Sequence, residues 1–175
     1  MRHMKKMTLA GLASLMLLST SASAVTVKAP HPGTVTALTY SSSGAFHGAV
    51  DVTSGDVCNS WSVHAVLVGS YSWNITINTT GIYCGTGGGS STQNEAKHVF
   101  ADGWTLRLWH FIKTAASYDK TCDRCALGNE GGTGNVTGPH SHIQVDKSGT
   151  KDTSWYSGYV TKGEYVDRTT TIGVL

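Results

Sequence analysis

The 175-residue sequence has only three prolines, and only 14% of its residues are Asp, Glu, Lys or Arg, too few for long solvated charge runs. Its longest apolar stretch, Met7 to Leu18, is about twelve residues, against the ~20 that a membrane-spanning helix needs. No amphipathic helical period of useful length follows it, and no internal repeat or interdomain linker is found. A basic stripe is also missing. Thirteen Lys and Arg stand against eleven Asp and Glu, and Arg2, Lys5 and Lys6 lie within the first six positions. Nucleic acid is therefore not expected as a partner. Gly85 to Gln93, centred on Gly87-Gly88-Gly89, has no following helix and no lysine at P-loop spacing. It reads as a loop, not as a phosphate cradle.

What is present begins with a secretory signature. A positive start, the short apolar run and Ala22-Ser23-Ala24 predict a signal peptide over 1–24, cleaved after Ala24. The expected exported domain, 25–175, then carries ten basic and eleven acidic residues, a net charge of −1. Secretion or a periplasmic location is expected, with no membrane anchor after cleavage and a monomeric state. All four cysteines fall in this part, an even count in an exported chain, which predicts disulfides. Among three possible connectivities, Cys58–Cys84 with Cys122–Cys125 is favoured. A redox role for Cys122-x-x-Cys125 would want a helix opening at the motif, but glycines follow. A zinc ribbon would need a second close pair.

Twenty-one glycines and abundant Thr, Ser, Val and Tyr predict short strands joined by turns. The expected class is all-β, mainly antiparallel with little helix, in a single compact domain with a groove over the sheet. Strands are expected over 34–40, 50–53, 62–68, 71–77, 97–100, 104–111 and 142–145. Ala101-Asp102-Gly103 reads as a tight hairpin turn, because Asp-Gly supplies the positive φ that such turns require. Residues 146–175, with Trp155, Tyr156, Tyr159 and Tyr165, are expected to wrap over the sheet. Most of the five tryptophans are assigned to the core or to groove lining.

Chemistry concentrates in histidines. In Thr137-Gly138-Pro139-His140-Ser141-His142 the two imidazoles are two residues apart. On a strand they share a face, with Cα atoms ~6–7 Å apart. About ninety residues earlier stand His47 and Asp51. On a straight strand positions i and i+4 would lie ~13 Å apart, so a shared ligand requires the chain to bend, and Gly48 would permit it. A catalytic zinc takes three protein ligands and keeps one position open. His47, Asp51 and one of His140 or His142 would supply such a set. His110 ends a strand on the face of Leu106 and Leu108, where a half-buried imidazole could border a site. His31 is placed in a turn leading into a strand, and His64 and His98 are read as structural or exposed.

The ordered set, His47-x-x-x-Asp51, then His110, then the glycine-rich Gly132 to Gly138 run into Pro139-His140-Ser141-His142, resembles the lysostaphin-type zinc endopeptidases (the LytM/LasA/lysostaphin family). These enzymes cut peptides of bacterial peptidoglycan. The resemblance spans roughly residues 31 to 146. It differs at the Tyr118–Cys125 segment, read as a disulfide-bearing loop where the family is Val/Gly-rich, and at the polar Ser141 between the paired histidines. The resemblance implies one Zn²⁺ per chain held by His47, Asp51 and His142, with His110 and His140 as catalytic histidines and a peptidoglycan peptide as substrate. Two rival readings stand beside it. One is a non-catalytic zinc-holding cell-wall module of the same fold, and the other a disulfide-stapled β-sandwich adhesin that holds no metal.

Overall fold

Short alternating segments rich in β-branched and aromatic residues become strands. The computed structural model describes residues 23–55, 57–85 and 89–175. Along these run β1 (Thr26–Lys28), β2 (Gly33–Ala37), β3 (Val50–Thr53), β4 (Ser62–His64), β5 (Tyr71–Thr76), β6 (Glu95–Val99) and β7 (Trp104–Trp109). They continue with β8 (Tyr118–Cys122), β9 (Ala126–Asn129), β10 (Ser141–Lys147), β11 (Thr150–Lys151), β12 (Tyr165–Val166) and β13 (Thr171–Val174). Among the described residues the only helical segments are single 3₁₀ turns at Ser90–Thr92 and Ser154–Tyr156. The expected signal segment lies outside the described residues over 1–22. No helix among the described residues is long and apolar enough to cross a membrane.

One nine-stranded antiparallel sheet runs in the order β12-β2-β3-β10-β7-β6-β5-β8, with β11 paired to β10. Two small ribbons, β1–β13 and β4–β9, complete a single compact all-β domain. β10 is the axis of the site. It lies between β3 and β7, with His142 opposite Asp51 on one side and opposite Trp109 on the other. Ile143 and Val145 face the core beside their register partners Leu108 and Leu106. Trp73, Ile75, Phe111, Leu127, Ile172 and Trp155 belong to the same buried cluster. Burying each Val, Leu or Ile contributes roughly 1.5–3 kcal/mol. A one-residue slip of β10 would exchange these apolar residues for His142 and Gln144, so the core pins the register that the site depends on.

Several expected boundaries move. The 34–40 strand becomes Gly33–Ala37, because its pairing with β3 shifts at a bulge between Val35 and Ala37. The 62–68 strand shortens to Ser62–His64; beyond it Ala65 N–H donates to the Cys125 carbonyl and Leu67 bridges to Val27. The 97–100 strand starts earlier, at Glu95, where it meets Trp109. The 104–111 strand stops at Trp109, because His110 turns to a positive φ of 76°. Tyr118–Cys125 is no loop: Tyr118 to Cys122 pairs with β5 and forms an edge of the large sheet. Its polar alternation hides the strand until the partner is known. The tail contributes β11, β12 and β13. The 101–103 turn joins β6 to β7, with Gly103 at φ 88°. Both disulfides, Cys58–Cys84 and Cys122–Cys125, are formed, with Cα atoms 5.6 and 5.8 Å apart.

Candidate metal centre

β3 and β10 are adjacent, and their register alone sets Asp51 beside His142. His47 arrives by a bend. Gly48 adopts φ 65°, and the His47 carbonyl accepts a hydrogen bond from Lys151 Nζ at 2.6 Å. The three side chains then converge. Asp51 Oδ1 lies 3.0 Å from His47 Nε2 and 2.9 Å from His142 Nδ1. Among the described residues this is the group of three or more His, Cys, Asp or Glu whose ligand atoms come together, all within 4.8 Å.

Burial by itself would raise the Asp51 carboxyl, but the adjoining His142 and His47 outweigh it and hold it well below the usual carboxylate range. His142 is likewise pushed downward, chiefly by desolvation, against the pull of Asp51. An anionic carboxylate thus faces an imidazole that burial keeps neutral. His47 Nε2 is buried and close to Asp51 but lacks the alignment of a hydrogen bond. Two imidazole nitrogens and a carboxylate oxygen are a donor set suited to zinc. The unpartnered nitrogen and the charge mismatch both fit a cation among them.

The remaining two expected histidines flank this cluster. His110 is buried just past β7, in the left-handed region that few non-glycine residues adopt. Asn94 and Thr133 hold it there. His110 N–H donates to the Asn94 carbonyl at 3.2 Å, and its Nδ1–H donates to the Thr133 carbonyl at 2.7 Å. Burial first, then the nearby His140 and His142, push its imidazole down to about 3. His140 sits one residue before β10, half-buried, with its N–H donated to the Gly131 carbonyl and Nδ1–H to the Gly138 carbonyl at 2.9 Å. Its Nε2 is 3.8 Å from Asp51 Oδ2, and its ring lies 4.8 Å from that of His110. In both rings the carbonyl contact takes Nδ1–H, which leaves Nε2 as the acceptor.

The segment that clamps both histidines depends on a close backbone approach. Gly132 bridges to Cys84, and a Cβ there would come 2.3 Å from the Gly85 nitrogen. A cleft of about 380 Å³ opens beside Asp51 and His140, lined by the hydroxyl-bearing Thr36, Ser41, Ser42, Thr53 and Thr137.

Other site residues were not legible in the sequence. On the site face, His142, Gln144 and Asp146 alternate along β10, opposite Trp109 and Arg107 of β7. His142 Nε2 is 3.2 Å from Gln144 Oε1; Gln144 Nε2 donates to Asp146 Oδ1 at 2.6 Å; Arg107 Nε donates to Asp146 Oδ2 at 2.8 Å. Arg107 also binds Glu95, which accepts the Trp109 indole N–H at 2.8 Å, and the Trp109 ring stacks on His142 at 4.7 Å and 6°. Alternation marks these positions, but only the register joins them. His31 does not border the groove. It is fully buried behind β10, with Nδ1–H donated to the Pro32 carbonyl and Nε2 accepting from Ser141 Oγ at 3.0 Å. His64 and His98 are half-buried, each bonded through Nδ1 to a carbonyl, of Arg124 and Ser72.

No protein-family profile matches the chain, and no curated protein matches it in sequence. One similar solved structure is a zinc-containing peptidase from Vibrio cholerae, at 15% identity and a TM-score of 0.40, covering 72% of this chain. This chain matches 38% of that protein's length.

Proposed function

We propose that the protein is an exported zinc endopeptidase of the lysostaphin type that hydrolyses peptide bonds in bacterial peptidoglycan. The observation that carries this is the convergence of His47, Asp51 and His142, with His110 and His140 alongside. His47 Nε2, an Asp51 oxygen and His142 Nδ1 would hold the ion. Zinc bound there would supply Lewis-acid activation of water and of the scissile carbonyl.

The chain's own residues divide the remaining work. His140 and His110 both present an unprotonated Nε2, so each can accept a hydrogen bond from a water beside the cluster. His110, kept neutral by burial, orients that water. His140 is the less enclosed of the two and the nearer to Asp51, so it takes the proton as general base. Once protonated, its Nε2–H donates to the developing oxyanion or to the leaving amine. A neutral Nε2 cannot donate, so oxyanion stabilisation by His140 follows proton transfer and does not precede it. Support for the peptidoglycan substrate comes from the ordered motif and from a cleft lined by hydroxyls, which suits a peptide backbone with small side chains.

The test measures bound zinc and hydrolysis of purified peptidoglycan for wild type, His142→Ala and His140→Ala. One zinc per wild-type chain is expected. His142→Ala should lose metal and activity together. His140→Ala should keep the metal and lose about 10²–10⁴-fold in rate. Zinc without hydrolysis by the wild type would turn the assignment to a non-catalytic zinc-holding module. No zinc at all, when supplied, would overturn it.

A further inference from the structure

The ring of contacts across β6, β7 and β10 has a direction, and that direction starts at Arg107. A guanidinium only donates hydrogen bonds. Arg107 Nε therefore makes Asp146 Oδ2 an acceptor, and the carboxylate's other oxygen, Oδ1, accepts from Gln144. The Gln144 amide must turn its NH₂ toward Asp146, which leaves Oε1, 3.2 Å from His142 Nε2. An oxygen there calls for Nε2–H. In a neutral imidazole the lone pair is then on Nδ1, the atom 2.9 Å from Asp51 Oδ1. Two acceptors so close repel each other unless a cation lies between them.

We propose that Gln144 is a positioning residue: it selects the Nε2–H tautomer of His142, so that Nδ1 is the metal-binding nitrogen. This deepens the zinc reading above and rests on it. Trp109 fixes the plane of the same ring by stacking on it, and its indole N–H is tied to the Glu95 carboxylate that also binds Arg107. Orientation and tautomer of His142 thus both trace to the Arg107–Glu95 pair on the neighbouring strands. Partners of this kind on a metal-binding histidine are worth ~10–100-fold in metal affinity.

The test uses the full exported chain with ¹⁵N-labelled histidine. Two-bond ¹H–¹⁵N correlation spectra of the zinc-loaded protein at pH 8 report which nitrogen of His142 bears hydrogen, and chelator competition reports zinc affinity. Wild type is expected to show Nε2–H. Gln144→Leu should weaken zinc ~10–100-fold. Gln144→Glu combined with Asp146→Asn keeps an acceptor oxygen against His142 and a donor between the two side chains, so it should retain Nε2–H and hold zinc within a few-fold of wild type. Urea unfolding of each variant checks that the fold is retained. Nδ1–H in the wild type overturns the proposal whether or not any variant folds. Unchanged zinc affinity in folded Gln144→Leu also overturns it. A wild type that takes up no zinc sinks the zinc reading and the positioning role with it, whereas zinc uptake that Gln144→Leu leaves unchanged sinks the positioning role alone.

Discussion

Acidifying the metal-free protein should destabilise it through His110, and the size of the effect follows from the structure. The folded-state value of His110 is pushed down to about 3 from an ordinary 6.5, because the ring is buried and neighbours His140 and His142. Above 6.5 the ring is neutral in both folded and unfolded chains, and its contribution to stability is fully present. Below 6.5 the unfolded chain takes up a proton that the folded one refuses, so stability falls by about 1.4 kcal/mol per pH unit until the folded value is reached. Between pH 6.5 and pH 4 that amounts to about 3 kcal/mol, a sizeable part of the 5–15 kcal/mol typical of a domain. Urea titration with chelator present, followed by tryptophan fluorescence, gives the unfolding free energy of wild type and His110→Asn. Asparagine tolerates the left-handed backbone and can still donate to Thr133, but it does not titrate. The variant should be less stable at pH 7, and its deficit should shrink by about 3 kcal/mol by pH 4. The window ends there because Asp51, whose folded value is also depressed, contributes its own loss only below about 3.8. A deficit that is the same at pH 7 and pH 4 would show that His110 titrates alike in both states and refute the reasoning.

Two further outcomes follow from the site. Hydrolysis should fall as acid protonates the general base and competes with zinc for its ligands, while His110, whose folded value is about 3, stays neutral from pH 8 to pH 5 and takes no part in the fall; a flat rate from pH 5 to 8 would contradict the assigned roles. Gly48→Ala should weaken zinc binding while the domain still folds, measured by chelator competition beside circular dichroism. At φ 65° a side chain is strained, by roughly 1–2 kcal/mol, and the new Cβ would press on the Phe46 ring at 2.8 Å, displacing the His47 bend.

Much of the site was legible because its chemistry is carried by rare residues at telling spacings. His47-x-x-x-Asp51 with an intervening glycine announced a bend, and Gly48 makes one. The even count and the close spacing of Cys122 and Cys125 favoured that pair, which left Cys58 to Cys84, and both are formed. The strand at Tyr118–Cys122 was not, since Asp119, Lys120 and Thr121 carry no apolar face and pair only with β5, more than forty residues away. His110 was read as a continuation of the Leu106–Leu108 face, but a residue that leaves its strand at positive φ owes that to Asn94 and Thr133.

By composition and periodicity the chain by itself determined an all-β domain held by two disulfides, and by residue type it determined which side chains can ligate or transfer protons. Those are local properties, written into each segment. Which nitrogen of His142 faces Asp51, which histidine stands clear enough to take a proton, and which polar residues hold them were decided only by the tertiary structure. Each depends on the register of β10 between β3 and β7, and that register is chosen by core residues such as Leu106, Leu108, Ile143 and Val145, on the opposite face of the sheet.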